Sequence, residues 1–250
     1  MQVPRLYLPP ERCAGSLLWL SGREAHHALR VLRLKRGDRV AVLDGMGHES
    51  FCEVKKGSGE TIELHVTKKN SIPPPSCEVT LLQALPKGKI IESIIQKAVE
   101  LGAHRIVPLL TEHVAARLDD KGAEHKSERW QQVAIEAIKQ CGAAWLPKIE
   151  APTTIEEFLA RKEKFDLSLI GSLQEGRRHP REIFREFEKA NGRLPKFAAV
   201  WIGPEGDFTL DELKTIEASG TFPITLGHLT LRVETAAIYC LSILNYELDR

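Results

Sequence analysis

The chain has 250 residues, 42% of them hydrophobic and 28% charged, with a formal net charge of +1. That is an ordinary soluble composition with enough chain for a real core, in one large domain or a small and a medium one. No apolar run approaches the length of a bilayer span, and Met1–Pro10 carries Arg5 but no signal-peptide core, so a cytoplasmic protein without a membrane anchor is expected.

Residues 1–70 hold 12 Lys and Arg against 8 Asp and Glu, and the remainder holds 23 against 26. A basic head on a mildly acidic body suits a head that meets a polyanion, although the excess is far below that of a dedicated nucleic-acid binder. Short strand-like runs dominate this head: Leu17–Leu20, Arg39–Leu43, Glu49–Val54 and Thr61–Val66. Turn signals at Asp44-Gly45, Met46-Gly47 and Gly57-Ser58-Gly59 separate them, and one helix is expected near Arg23–Leu32. The pattern predicts a small, mostly β, barrel-like domain over residues 1–70. The run Pro73-Pro74-Pro75 continues neither helix nor central strand, so residues 71–77 are expected to be a stiff linker.

After the linker, over residues 78–250, strands and helices alternate. Val79–Leu85 and Arg105–Leu110 are strand-like, and between them Ile90, Ile91, Ile94, Ile95, Ala98 and Leu101 mark one helical face that Gly102 closes. A helix over about Glu128–Gln140, a strand at Leu167–Ile170, a helix around Arg181–Lys189 and a strand at Phe197–Ile202 follow. Such alternation predicts an α/β domain with a largely parallel sheet covered by helices on both faces. The last helix starts near Val233, and its apolar residues extend around much of its circumference, as in a helix buried on more than one side or at a dimer interface. The five cysteines, Cys13, Cys52, Cys77, Cys141 and Cys240, are scattered and not at zinc-ligand spacing; reduced thiols and no metal are expected.

Two segments near the C-terminus concentrate the chemistry. In Val200-Trp201-Ile202-Gly203-Pro204-Glu205-Gly206-Asp207-Phe208-Thr209 a buried strand runs into a glycine-rich turn, then a helix for which Thr209 and Glu212 make a capping box. In Ile224–Ala236 a strand leads through Gly227 to a long apolar helix, with Arg232 and Glu234 at its entry. In parallel α/β sheets ligands bind beyond the C-terminal strand ends, where both turns must lie. No Gly-x-Gly-x-x-Gly follows an early strand, which disfavours a classical dinucleotide enzyme.

Together, Gly203-Pro204-Glu205-Gly206 and Leu226-Gly227-x-x-x-Leu231-Arg232-x-Glu234-Thr235 resemble the SPOUT methyltransferase superfamily, and within it the RsmE family of small-subunit ribosomal RNA uridine N3-methyltransferases. Supporting matches are Pro4-Arg5, His26-His27 before Val31-Leu32-Arg33, Asp44-Gly45, Gln96-Lys97 before Glu100-Leu101-Gly102, and Gln140-Cys141-Gly142. The resemblance implies a PUA-like β-barrel followed by a trefoil-knotted parallel-sheet domain, a homodimer, and S-adenosyl-L-methionine as methyl donor. The implied substrate is uridine-1498 of 16S rRNA in the small ribosomal subunit. Two departures are Asp207, where a second glycine is common, and Ala143-Ala144, where an arginine is common.

On this reading residues 202–206 (Ile202, Gly203, Pro204, Glu205, Gly206) and Leu226, Gly227, Leu229 and Leu231 hold the cofactor. Leu169, Ile170 and Gly171, on a third strand end, complete the pocket or simply belong to the core. Uracil N3 must lose a proton before it attacks, so Arg232 is the candidate for stabilising the anion, and Glu234 for taking the proton or orienting Arg232. Arg5, His26, His27, Arg30, Arg33 and Lys35 are the candidate RNA contacts, with positions 26, 30 and 33 on one side of the head helix. The alternatives are a SPOUT methyltransferase for another RNA or position, and a non-catalytic RNA-binding ribosome-assembly factor.

Overall fold

The computed structural model describes residues 3–58, 61–88, 90–113 and 120–248. The chain forms two compact units: residues 1–74 with 135–146, and residues 75–134 with 147–250. The first division falls between Pro74 and Pro75, within the proline run. The return of residues 135–146 to the first unit has no counterpart in the sequence pattern.

In the first unit, β1 (Arg5–Tyr7), β2 (Leu17–Ser21), β3 (Arg39–Leu43), β4 (His48–Ser58) and β5 (Thr61–Ser71) form one sheet in the order β1-β3-β4-β5-β2. Only the β1–β3 pair is parallel; the rest are antiparallel. β4 and β5 are longer than their apolar runs, and register shifts at Phe51/Cys52 and Val54/Lys56 bend them, as β-bulges do. Alternation on β2 turns Leu18 and Leu20 inward, where they join Leu6, Val40, Val42, Val54, Ile62 and Leu64 in a closed core. The expected helix is α1 (Gly22–His26), and it continues through a wider turn over His27–Val31 in which the Leu32 N–H reaches the His27 carbonyl at 3.0 Å. Arg33, expected on the helix face, lies beyond it with φ +53°.

In the second unit, β6 (Glu78–Ala84), β7 (Arg105–Leu110), β8 (Lys148–Ile149), β9 (Thr153–Thr154), β10 (Leu167–Gly171), β11 (Phe197–Ile202) and β12 (Phe222–Ile224) make a seven-stranded sheet in the order β12-β10-β11-β6-β7-β8, with β9 also on β7. Every pairing is parallel. The central strands are nearly continuous Val, Ile, Leu and Ala because helices cover both faces. The helices are α2 (Ile90–Glu100), α3 (Asp120–Cys141), α4 (Ile155–Ala160), α5 (Pro180–Asn191), α6 (Leu210–Ala218) and α7 (Val233–Leu248). Phe158 of α4 and Leu213 and Ile216 of α6 pack with Leu82, Val107, Ala199 and Trp201. α7 packs against α2, β6 and β11. α3 begins at Asp120 rather than near Glu128, and its residues from Ile135 onward belong to the first unit. Among the described residues no helix is long and apolar enough to cross a membrane, and no cluster of His, Cys, Asp and Glu could hold a metal.

Candidate active site

Three neighbouring strands, β12, β10 and β11, end side by side, and the turns that leave them enclose a cavity of about 510 Å³. Gly171 and Ser172 line it from β10; Ile202 through Asp207 line it from β11. Leu226, Gly227 and Leu229 through Glu234 come from the β12–α7 turn. Every expected pocket residue from Ile202 to Leu231 therefore faces this cavity. Leu169 and Ile170 do not: they are 1% and 0% exposed, part of the sheet's core, because a parallel strand covered on both faces buries its interior and only its end, Gly171, reaches the rim.

The β11 turn is held from behind. Thr209 Oγ1 caps α6 by accepting from the Glu212 N–H at 3.3 Å, and Glu212 Oε2 accepts from the Thr209 N–H at 2.8 Å, completing the expected capping box. Glu212, 6% exposed, also accepts from the Glu112 N–H at 2.9 Å, and His113 Nδ1 donates to the Asp207 carbonyl at 2.8 Å. Glu205 Oε1 accepts from the Lys87 N–H at 2.9 Å. The segments after β6 and β7 thus fix both sides of the glycine turn. A Cβ on Gly203 would come within 3.0 Å of Asp207 Oδ1 and 3.3 Å of the Phe208 nitrogen, so the turn closes this tightly only because that side chain is absent. Burial raises the Asp207 carboxyl above the usual aspartate range, against the opposing pull of the Phe208 N–H and His113.

Arg232 and Glu234 both line the cavity, and among the described residues neither side chain has a hydrogen bond or ion pair, not even with the other. Arg232 is exposed and Glu234 half-buried. Two charged groups at a helix entry that do not neutralise each other are available to a ligand.

In the first unit, His26, Arg30, Arg33 and Lys35 are exposed. The wide turn and the left-handed Arg33 break the 3.6-residue spacing on which a single row of positions 26, 30 and 33 rested, so these exposed groups do not make a regular helical stripe. His27 is half-buried, with Nδ1 3.4 Å from Lys139 Nζ. Arg5 is turned to the C-terminus of α3: Nη1 donates to the Gln140 carbonyl at 3.3 Å, and the guanidinium occupies the space a Cβ on Gly142 would need, at 2.6 Å. A cation at the carbonyl end of a helix is a favourable placement, and it turns Arg5 toward structure rather than toward a free RNA-facing surface.

Residues 73–245 match the family model of an RNA methyltransferase domain, and residues 20–67 match that of an RNA methyltransferase PUA domain. The chain belongs to this RNA methyltransferase family. The methyltransferase is 31% identical to ribosomal RNA small subunit methyltransferase E of Bacillus subtilis strain 168, over 92% of this chain and 90% of that protein. It is 34% identical to the Synechocystis protein of the same name, over 98% of this chain and 78% of the other. Among solved structures it is similar to a Legionella pneumophila protein described in complex with the cofactor SAM (TM-score 0.87, 29% identity, 98% of each chain). It is also similar to ribosomal RNA small subunit methyltransferase E of Neisseria gonorrhoeae bound to S-adenosyl methionine (TM-score 0.83, 26% identity, 98% of each chain).

Several residues that line the methyltransferase cavity are not among those the sequence points to: Ile90, Ser172, Leu173, Arg177, Asp207 and Thr230. Ser172 and Leu173 directly follow β10, so extending the strand-end rule past Gly171 finds them. Arg177 reaches the rim because its guanidinium donates back to the Leu173 and Gln174 carbonyls, folding its own loop over the opening; no local motif announces that.

Proposed function

We propose that the chain transfers a methyl group from S-adenosyl-L-methionine to N3 of a uridine in the 16S rRNA of the small ribosomal subunit, in the cytoplasm. The observation that carries this reading is a glycine-walled cavity at three parallel strand ends with Arg232 and Glu234 unpaired on its wall. A volume of about 510 Å³ lies within the ~300–1,000 Å³ of sites that hold ligands of this size, and a Cβ at Gly203 would crowd Asp207 Oδ1 at 3.0 Å. Ile202–Gly206 and Leu226–Leu231 would hold the adenosyl portion largely through main-chain groups. When bound, the cofactor supplies an electrophilic methyl on a positively charged sulfur.

The protein's own task is alignment and proton management. The turns fix the donor's position, and a well-aligned displacement gains much of its acceleration from that alone. Uracil N3 becomes nucleophilic as its proton leaves, and Arg232 offers paired donors to the oxygens that then carry the charge. Glu234, two residues along at the α7 entry and not bonded to Arg232, is placed to accept that proton.

In this reading the first unit, residues 1–74 with 135–146, supplies the RNA-binding domain through His26, Arg30, Arg33 and Lys35, and the second, residues 75–134 with 147–250, carries a trefoil-knotted catalytic domain that works as a homodimer. Relatives named as small-subunit rRNA methyltransferases support the substrate, and the SAM-bound neighbours support the cofactor. The test is methyl transfer to unmodified small subunits, with the nucleoside identified by mass spectrometry. N3-methyluridine is expected. A different methylated nucleoside would move the reading to another RNA position, and the absence of any transfer would leave an RNA-binding assembly factor. Sedimentation as a monomer at micromolar concentration would remove the dimer.

A further inference from the structure

Asp207 bears two costs that the residues around it return only in part. Its φ is +61°, a left-handed conformation that suits glycine best and that aspartate adopts at a smaller cost than most L residues. Its Oδ2 is buried without a hydrogen-bond partner among the described residues, which is unfavourable for a carboxylate. The group is nonetheless held firmly. Oδ1 accepts from the Phe208 N–H at 2.8 Å and stands over Gly203, where a Cβ would lie 3.0 Å from it. The Asp207 N–H donates to the Pro204 carbonyl at 3.0 Å, and the Asp207 carbonyl is held by His113. Such costs persist where a ligand supplies the compensation.

The other charged groups on the cavity wall are differently disposed. Glu205 has one oxygen on the Lys87 N–H, Arg177 is bound to carbonyls of its own loop, and Arg232 and Glu234 sit at the α7 entry. Among the described residues that line the cavity, Asp207 alone is a carboxylate with a buried oxygen that lacks a partner. Through low-dielectric protein, a cation in the cavity interacts with it more strongly than it would at the same distance through solvent. The methyl donor and the thioether left after transfer differ by one positive charge at sulfur. We propose that Asp207 makes this cavity charge-selective, favouring the sulfonium donor over neutral S-adenosylhomocysteine, so that the spent product is not retained. The proposal rests on the cofactor assignment above and deepens it. Burial already disfavours the ionised carboxyl, and a cation on the far side of the Gly203 turn opposes that effect.

The test is calorimetric titration of the full chain with three ligands: S-adenosylmethionine, its ammonium analogue sinefungin, and S-adenosylhomocysteine. Asp207→Asn, which keeps shape and removes charge, is expected to weaken both cationic ligands about ten-fold while leaving the thioether within about two-fold. Asp207→Gly, which suits the backbone, is expected to give the same ratio and serves if the first variant folds poorly. Proportional weakening of all three ligands, or no change in any, would overturn the proposal. Failure of the unaltered protein to bind any of the three would overturn the cofactor assignment itself, and that result is distinct from an unaltered ratio in a protein that binds.

Discussion

Gly227→Ala separates the cofactor turn from the stability of the fold. Gly227 has φ +109°, which L side chains rarely adopt, and a Cβ built there meets nothing within 4 Å. The substitution therefore carries no steric penalty, only a backbone cost of about 1–3 kcal/mol. That cost has two outlets. If the turn kept its shape, the whole protein would lose that much stability and ligand affinity would be unchanged. If the turn relaxed to negative φ, stability would hold and the main-chain groups facing the cavity would move. The local restraints are slight: Gly227 through Thr230 are exposed, and Thr225 Oγ1 accepts from the Gly227 N–H and donates to its carbonyl, both at a long 3.2 Å. Relaxation is the cheaper route. The expected outcome is an S-adenosylmethionine affinity lowered about 5- to 150-fold, at 1.4 kcal/mol per ten-fold, with Tm nearly unchanged. Calorimetric titration and a thermal melt on the same sample decide it. Unchanged affinity with an unchanged Tm would show that this turn's backbone does not hold the cofactor, and unchanged affinity with a lowered Tm would show that the turn kept its shape and refute the relaxation.

Arg232→Ala removes an exposed guanidinium with no protein partner among the described residues, so it should abolish methyl transfer while cofactor affinity and Tm stay close to those of the parent; equal turnover would take Arg232 out of the chemistry. Reversing Arg30 and Arg33 to Glu should weaken RNA binding and flatten its salt dependence in a filter-binding assay, and unchanged values at two salt concentrations would relocate the RNA surface. Lys139→Met strands the Glu24 carboxylate, 2.8 Å from a lysine whose side chain is 5% exposed, and should cost about 3 kcal/mol by urea denaturation, where no loss would contradict the buried pair. Arg193 and the N–H groups of Lys196 and Phe197 hold the Asp166 carboxyl well below its ordinary 3.8, so its stabilisation is present above that value and lost as pH falls below it. Asp166→Asn should lower Tm at pH 7 and make the acid-side fall of Tm shallower, and parallel profiles would refute the assignment.

The features legible in the sequence are those encoded within a few neighbouring residues. The Thr209–Glu212 capping box, the all-apolar β11 and the apolar run of α7 are local patterns, and each element forms where its pattern lies. α3 starts well before its apolar period because residues 120–127 are mostly polar, so its early turns carry no signal. β1, β8 and β9 are two or three residues long and hold their place through pairing alone. α4 has no periodic signature, since six residues are too few for one; its only sign is the Thr154–Glu157 capping box, as complete as that of α6. The return of residues 135–146 to the first unit depends on pairs such as Lys139–Glu24 and Trp145 Nε1 on the Ile72 and Pro73 carbonyls, partners separated by most of a domain in sequence.

The contrast between Leu169 and Ile170, buried in the sheet, and Gly203, Gly206 and Gly227, facing the cavity, shows how the cavity is made. Interior strand positions serve the sheet, and the cavity wall begins with the last paired residues, Gly171 and Ile202, and continues into the turns beyond them. The features that local rules disfavour gather at that same edge: a left-handed Asp207, an Arg232 with no ion pair among the described residues, and exposed leucines at 173 and 229, 53% and 66% accessible. None of these helps the fold. A flat, partly charged acceptor base would use the rim leucines for its faces and the guanidinium for its oxygens, while a cationic donor would use the carboxylate beneath. The same few residues that make this edge unfavourable as protein surface make it suitable as a place where those two reactants meet.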